Sequence, residues 1–389
     1  MIFDGVKKFT ANTTWTNNVA YTTVTSTTYS SFELFKRKVA DEDDNISYVF
    51  TNKLGQKVLT RKINLHSDGK TTGTLQEIDT YYIYNEYNQL VCVVPPLAAK
   101  ITLTQDVLDK LCFQYRYDDQ GRLVEKKLPG KGFDRSSNKW IWDSFVYDQQ
   151  DRLVAMQDSN LKLQGNKWLY TQYDQFSRPV ATGICNAFDT SREDEQNFVD
   201  TKGSNNTTRN NNIVINYSGM DVYYNIATSY PQSSKVTALL SLNYYDTYPT
   251  GTPTVASPIL GQEVLSTNAI NSNISTKSFP TASFVKNISE DKWTKSYVWY
   301  DTMGRSIAAN SANHLGGFTT TETELDFVGM PKKTITKNSR TSSIKPNVTI
   351  EENFTYDDQY RLKKHEHEVI GKSPKETLAE YIYDDLLCI

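Results

Sequence analysis

Short segments of alternating apolar and polar residues recur along the chain, and each is interrupted by a small polar turn. Residues 113–117 (FQYRY) and 297–300 (YVWY) show this alternation, which is typical of β-strands with one packed face. A second short apolar segment follows each turn, for example residues 122–124 (RLV). The pattern predicts antiparallel hairpins closed by loops of three to five residues.

The hairpins are copies of one repeat that begins with Tyr-Asp or a close variant. Neighbouring copies near 84, 117, 147 and 173 lie about 26 to 33 residues apart, a period typical of repeat architectures. Weaker copies start at Phe50 and Leu325. The turn-motif residues are Tyr84, Tyr117, Asp118, Gly121, Arg122, Tyr147, Asp148, Arg152, Tyr173, Asp174, Arg178, Tyr300, Asp301, Gly304, Arg305, Tyr356, Asp357, Arg361, Tyr383 and Asp384.

The chemistry of the repeat explains its residue types. The Asp carboxylate can accept a hydrogen bond from a backbone N–H two residues later, which closes the turn. Gly121 and Gly304 can adopt a left-handed conformation without a Cβ clash, and Asn88 and Asp151 stand near the same position. The leading Tyr and following Leu can both face inward. The arginines are expected to recur along one rim.

A single hairpin cannot bury its own apolar face, so the repeats are expected to join edge to edge. The predicted fold is all-β, a spiral of hairpins that forms a curved or hollow shell. One short helix is predicted near 102–111, with Thr104 or Thr102 as its N-cap. We divide the chain into a weakly matching β segment (1–79), a repeat shell (80–185), an irregular insertion with a polar loop at 186–221 (186–296), and a second repeat shell (297–389).

Composition and charge exclude several classes of protein. The net charge of -3 and pI of about 5.9 give no basis for binding nucleic acid. No signal peptide or apolar membrane span is visible, and the chain stops within a repeat copy, which indicates a fragment or one part of a split shell. Cys92, Cys112, Cys185 and Cys388 form no metal or redox motif. A disulfide between the first two is open, and buried free thiols are favoured.

Several segments resemble the RHS (YD-repeat) family of secreted bacterial proteins, which is distantly similar to the teneurin shells of animals. They occur in the family's order within residues 80–389: VVPP (93–96), LCFQYRYD (111–118), EKKLPG (125–130), KWLY (167–170), RPVATG (178–183), NYYD (243–246) and NHLGG (313–317). The segment at 111–130 looks like one subgroup whose members are often exported by the type IX pathway.

The resemblance implies a β-cocoon that encloses a polypeptide, often a toxin, during export. The implied partners are the remainder of the shell or a chain that completes it, the polypeptide cargo, and the secretion machinery; the implied location is secreted or on the cell surface. The family's Asp-Pro autoproteolysis segment and variable C-terminal effector are absent from this sequence. No cleavage or toxin activity therefore transfers to any residue, and we predict no enzyme and no cofactor.

A few residues could support metal or sugar binding, but plain structural roles are favoured for them. His365 and His367 could reach one metal ion from one face of a strand, but no third ligand is identifiable. The acidic run at 41–44 lacks calcium-loop spacing. Tryptophans 140, 142, 168, 293 and 299 could stack on sugars, although their alternation favours packing within the sheet.

Two other functions remain as alternatives. The first is a cell-surface adhesin that binds glycans or partners through exposed aromatic residues and a loop such as 203–212. The second is a glycoside-active enzyme, which would need two carboxylates converging on one bond.

Overall fold

The structure is a computed structural model, and it describes residues 6–43, 45–66, 74–136, 139–188, 191–210, 212, 215–217, 219–267, 275–341 and 348–383. Strands dominate it, which confirms the all-β prediction. They are β1 (Lys7–Thr16), β2 (Val19–Thr28), β3 (Phe35–Ala40), β4 (Ile46–Thr51), β5 (Lys57–His66), β6 (Thr74–Tyr84), β7 (Leu90–Val94), β8 (Phe113–Tyr117), β9 (Leu123–Lys127), β10 (Phe133–Asp134), β11 (Lys139–Trp140), β12 (Asp143–Tyr147), β13 (Leu153–Gln157), β14 (Lys167–Tyr173), β15 (Pro179–Asn186), β16 (Ile215–Tyr217), β17 (Met220–Val222), β18 (Val236–Tyr245), β19 (Pro280–Asn287), β20 (Lys292–Tyr300), β21 (Ser306–Ala312), β22 (Gly316–Leu325), β23 (Pro331–Thr341), β24 (Val348–Tyr356), β25 (Leu362–Val369) and β26 (Ser373–Glu380).

The predicted helix is present as α2. The described residues contain four short α-helices, which are α1 (Pro96–Ala99), α2 (Gln105–Leu111), α3 (Ser159–Leu163) and α4 (Arg192–Asp200). The Thr104 side chain caps α2 by accepting a hydrogen bond from the Val107 N–H. The prediction missed the other three. In particular, α4 lies where we expected only a polar loop, and Ser191 is its N-cap. Its sequence is so polar that the apolar periodicity of a helix is weak. In the described part of the chain, no helix is long and apolar enough to cross a membrane.

The chain divides into two compact units. The first comprises Met1–Tyr170 and Cys185–Ser204, and the second comprises Thr171–Ile184 and Asn205–Ile389, so the boundary falls within β14 and β15. In the first unit, β3 to β9, β12 and β13 pair antiparallel in chain order. In the second, β18 to β26 do the same. Sequential hairpins therefore build the sheet of each unit.

Each unit has its own apolar core. In the first unit, Phe50, Leu59, Tyr81 and Ile83 pack with α1 and α2. The separate hairpin β1–β2 covers this core, and the Phe9 ring meets the Tyr81 ring edge-on, with centroids 5.0 Å apart. The second unit packs a largely aromatic core, whose buried members include Tyr224, Tyr244, Phe284, Tyr297 and Trp299.

The register of the hairpins shifts at the same place in successive repeats. A β-bulge or irregularity falls immediately before Tyr84, Tyr117, Tyr147, Tyr300 and Tyr356. A bulge bends its strand and increases the local twist. Each of these repeats therefore contains a local distortion in the strand that leads into its turn. That strand ends at the Tyr, which is the residue before the Asp or Asn of the turn.

Candidate functional site

The repeat turns are held by the same set of hydrogen bonds in the five described copies that pair an Asp with an Arg four residues later. The Asp Oδ1 accepts the backbone N–H groups of the residues two and four positions later, at 2.8–3.1 Å. The Asp Oδ2 accepts the Arg Nε–H at 2.7 Å in the pairs 118–122, 148–152, 174–178, 301–305 and 357–361. Each carboxylate thus closes its turn by accepting backbone hydrogen bonds, and it also forms an ion pair with the Arg.

Two repeats in the first unit carry a neutral version of this pair. The Asn85 Oδ1 accepts the N–H groups of Tyr87 and Gln89, and its Nδ2 donates to the Gln89 Oε1 at 2.7 Å. Residues Asn52 and Gln56 make the same contacts, with a side-chain bond of 2.6 Å. Asn and Gln therefore replace Asp and Arg with the hydrogen-bond geometry preserved and the charge removed.

The fourth residue of each repeat turn is left-handed. Its φ is +79° at Gly121 and at Gly304, +64° at Asn88 and +59° at Asp151. At Gly304, an added Cβ would lie 2.8 Å from the Cζ of Phe279. Ser177 and Tyr360 hold the same conformation, at +60° and +59°. The turn thus holds these residues at a positive φ, although residues with a Cβ rarely adopt it.

Side chains at the fifth position also connect neighbouring turns. The Arg122 Nη1 donates to the Asp151 Oδ1 at 2.8 Å, and the Arg178 Nη2 donates to the Asp246 Oδ2 at 2.7 Å. The Arg305 Nη1 donates to the carbonyl of Asp326 at 2.8 Å. Three of the five motif arginines therefore join their own turn to a neighbouring one.

The leading tyrosines make a second connection between repeats, which the sequence pattern did not predict. In six of the motif tyrosines, and in Tyr245 of the NYYD segment at 243–246, the phenol O–H donates to the carbonyl of the first residue after the preceding turn. The pairs are Tyr84 to Lys57 (3.2 Å), Tyr117 to Leu90 (2.8 Å), Tyr147 to Leu123 (2.8 Å), Tyr245 to Pro179 (3.1 Å), Tyr300 to Pro280 (2.7 Å), Tyr356 to Pro331 (2.9 Å) and Tyr383 to Leu362 (2.8 Å). We call this series the tyrosine latch. Asp384, the other half of the last motif, lies outside the described residues.

The electrostatics of the turns follow from these contacts. Desolvation opposes ionisation of the Asp357 carboxyl, but hydrogen bonds from Arg361 and the backbone outweigh it and hold its pKa below the usual value. The hydrogen bond with the Asp246 carboxylate is the largest effect that raises the pKa of Arg178. The Asp357 carboxylate is thus held ionised and occupied by hydrogen bonds, which is a poor arrangement for general acid or base catalysis.

A cavity lies in the first unit, beside the turns at 118–122 and 148–152. Its volume is about 590 Å³, and polar side chains from the hairpin tip at 17–18 and from α4 complete its wall. Its carboxylates include those of Asp119, Glu193, Asp194 and Asp200. Asn17 donates from Nδ2 to the Glu193 Oε2 at 2.7 Å. The cavity is thus lined largely by acidic and polar side chains, and it is open to solvent.

The other candidate residues are engaged in local contacts. The His365 Nε2 lies 3.0 Å from the Glu352 Oε1, and the His367 Nε2 lies 2.7 Å from the Glu376 Oε1. The two imidazoles therefore have separate partners, and the described residues contain no group of three or more His, Cys, Asp or Glu side chains placed to hold a metal ion. The Asp41 Oδ1 accepts the backbone N–H groups of residues 43 and 45, and residue 44 lies outside the described ranges.

The described cysteines and several of the tryptophans are buried or packed against other parts of the protein. Cys92, Cys112 and Cys185 are buried free thiols, and Cys388 lies outside the described residues. Trp168 and Trp299 are buried. The Arg116 guanidinium lies 3.7 Å from the ring centroid of Trp142. These tryptophans are packed against the protein itself.

The comparisons with known proteins find matches among solved structures. No family model and no curated protein matches the chain. Among solved structures, the complex of TcdB2, TccC3 and Cdc42 aligns with 88% of this chain and 15% of that one, at 9% identity and a TM-score of 0.37. The Photorhabdus luminescens Tc holotoxin pore with a TccC3 point mutation and the TcdB2–TccC3 complex each align with 90% of this chain and 22% of theirs, at 11% identity and a TM-score of 0.19. This chain thus spans less than a quarter of each matched chain, and membership of the RHS family stays a prediction.

Proposed function

We propose that this chain is a non-catalytic wall segment of an RHS-type β-shell that encloses a polypeptide. The observation that carries the proposal is the tyrosine latch together with the arginine contacts between turns. Both join one repeat to the next, so the sheet of each unit can be lengthened by adding hairpins. A wall built this way needs no active site, and the carboxylates of the five described Asp–Arg turns are engaged by Arg and backbone partners.

The proposed partners follow from the resemblance. The wall would be completed by the remainder of a longer shell or by a second chain, and the enclosed polypeptide would be an exported, toxin-like cargo. Export, a location outside the cell and the type IX route are parts of the same proposal.

The test is to purify the full-length protein that contains this chain and look for a retained polypeptide. Native purification followed by denaturing electrophoresis and mass spectrometry should find a second polypeptide segment in stoichiometric amount. That segment should resist added protease until the shell is unfolded. A protein that carries no such segment, or one whose segment is degraded as fast as in free solution, would contradict encapsulation.

A second candidate function is adhesion, and a specific feature of the turns favours it. The tips of several repeat turns carry exposed apolar side chains, which are Leu54, Tyr87, Phe176, Met303 and Phe327. Exposed aromatic and apolar residues are enriched where proteins bind partners. Replacing these tips with Ser should abolish binding to cells or glycans if the chain is an adhesin. The same variant should leave cargo retention unchanged if it is a wall.

A further inference from the structure

A small cavity of about 130 Å³ opens in the second unit, beside the repeat turn at 174–178. Its walls include the rings of Phe176, Tyr224 and Tyr245, the hydroxyl-bearing side chain of Thr208 and the guanidinium of Arg209. None of these side chains belongs to the tyrosine–aspartate pairs that build the wall, apart from Tyr245. The proposed wall function therefore leaves this cavity unexplained.

Arg209 is the unusual member of the lining. Its guanidinium lies 4.6 Å from the ring centroid of Tyr244 and 5.4 Å from those of Tyr223 and Tyr224. The Nη1 donates to the carbonyl of Tyr223 at 2.9 Å, whereas the Nε is buried and has no hydrogen-bond partner. No acidic side chain of the described residues forms an ion pair with it. Burial lowers the pKa of Arg209 from its ordinary value, yet an arginine stays protonated in proteins.

The other charges of the lining neutralise one another. Asp174 and Asp246 both accept hydrogen bonds from Arg178, at 2.7 Å to the Nε and 2.7 Å to the Nη2 respectively. The pKa of Asp246 is consequently held below its usual value, although desolvation acts in the opposite direction. Arg209 is thus the one charged group lining the cavity whose charge meets only aromatic rings and a carbonyl. A partly buried cation is costly without an anion or several strong acceptors.

The size and the lining of the cavity define what fits. A volume of about 130 Å³ is well below the roughly 300–1,000 Å³ of small-molecule sites. It would hold about four water molecules, at roughly 30 Å³ each, or one side chain. Thr208 accepts a hydrogen bond from the Asn225 Nδ2, so its own hydroxyl proton remains available to donate. An apolar stem could lie against the aromatic walls while its anionic end meets Arg209.

We propose that this cavity binds the carboxylate side chain of a Glu or Asp residue in an extended polypeptide. The proposal rests on the proposed function in one respect, namely that the carboxylate is carried by a polypeptide. A shell that encloses an unfolded chain would hold it weakly at such single-residue pockets. The Arg209 pocket would then favour acidic segments of that chain.

The test measures binding of labelled peptides to the purified full chain by fluorescence anisotropy. One peptide carries three Glu residues in a Gly-Ser background with an amidated C-terminus, and its partner carries Gln at the same positions. A third carries Gln with a free C-terminal carboxylate, which separates side-chain from terminal recognition. Arg209→Gln is compared with Arg37→Gln, which removes the same charge from the exposed strand β3.

The Glu peptide should bind more tightly than the Gln peptide, and Arg209→Gln should weaken it by about tenfold to a hundredfold, as expected for a charge-assisted hydrogen bond. Arg37→Gln should leave its binding within about twofold, because exposed charges contribute little. Equal affinities for the Glu and Gln peptides, or equal losses in the two variants, would overturn the proposal. Selective binding of the free C-terminus would overturn the side-chain assignment.

Two further measurements keep the test decisive. Arg209→Lys retains the charge and the aliphatic stem, so it should retain part of the Glu preference even if Arg209→Gln folds poorly. A Thr208→Val variant should reduce Glu binding severalfold without altering the thermal midpoint. Failure of encapsulation would appear as absent cargo with the Glu preference intact, whereas failure of the pocket would appear as retained cargo with no Glu preference.

Discussion

The charged pair Asp301–Arg305 should be replaceable by the neutral pair that the chain uses elsewhere, but only if both residues change together. The Asp301 side chain is 5% exposed and the Arg305 side chain 25%, and they meet at 2.7 Å. Asn and Gln hold the corresponding positions at 52 and 56 and make the equivalent bonds. The perturbation is therefore a double-mutant cycle of Asp301→Asn and Arg305→Gln.

The magnitudes follow from what each variant leaves unpaired. Removing one partner of a fully buried ion pair costs about 3–5 kcal/mol. The partial exposure of Arg305 and its further bond to the Asp326 carbonyl reduce that to about 2 kcal/mol for each single variant, after discounting for solvent screening. The double variant restores an internal hydrogen bond and loses the contact with the next turn, at a cost of about 1 kcal/mol. The coupling between the two sites should thus exceed about 1 kcal/mol.

Urea unfolding followed by tryptophan fluorescence measures these free energies, because the buried Trp299 lies two residues before Asp301. The control cycle uses the pair Lys332–Glu324, whose side chains are 55% and 32% exposed. Its coupling should stay below about 1 kcal/mol. Additive costs at Asp301 and Arg305 would refute the reasoning, since they would mean that the turn does not depend on the pairing of the two side chains.

Three other predictions test the repeat geometry. Tyr117→Phe removes one bond of the tyrosine latch and should cost about 1 kcal/mol, whereas Tyr360→Phe, at an exposed turn position, should change the unfolding free energy by less than about 0.5 kcal/mol. Gly304→Ala should destabilise more than Gly121→Ala, since both residues have a φ of +79° but only the first meets a ring carbon within 3.0 Å; thermal melts of the two variants decide this. Burial raises the pKa of Tyr81 to about 12, so its stabilising contribution should be complete below pH 10 and lost as the pH rises through 12, which absorbance of the phenolate and circular dichroism followed together will show.

The hairpins could be predicted from the sequence alone, because their strands and turns depend on interactions between residues close together in the chain. The Asp-x-x-Gly turn, the alternation before it and the period between copies predicted strands such as β8, β9, β20 and β21 because turn closure depends on residues within five positions of one another. Gly121 and Gly304 were predictable for the same reason, since positive φ is a property of the single residue. The N-cap at Thr104 is equally local.

Contacts between repeats were decided by the tertiary structure. The hydrogen bond from the Tyr117 O–H to the Leu90 carbonyl joins residues 27 positions apart, and it exists only because pairing of β7 with β8 brings the two turns to one edge. The polar helix α4 was missed because its burial against β12 comes from packing and a hydrogen bond between Gln196 and the Tyr147 carbonyl, not from an apolar stripe. The Arg209 cavity is formed by segments whose approach no local pattern encodes. The sequence by itself thus determined the repeated hairpin and its turn, because both depend on neighbouring residues, while tertiary packing decided how successive hairpins contact one another.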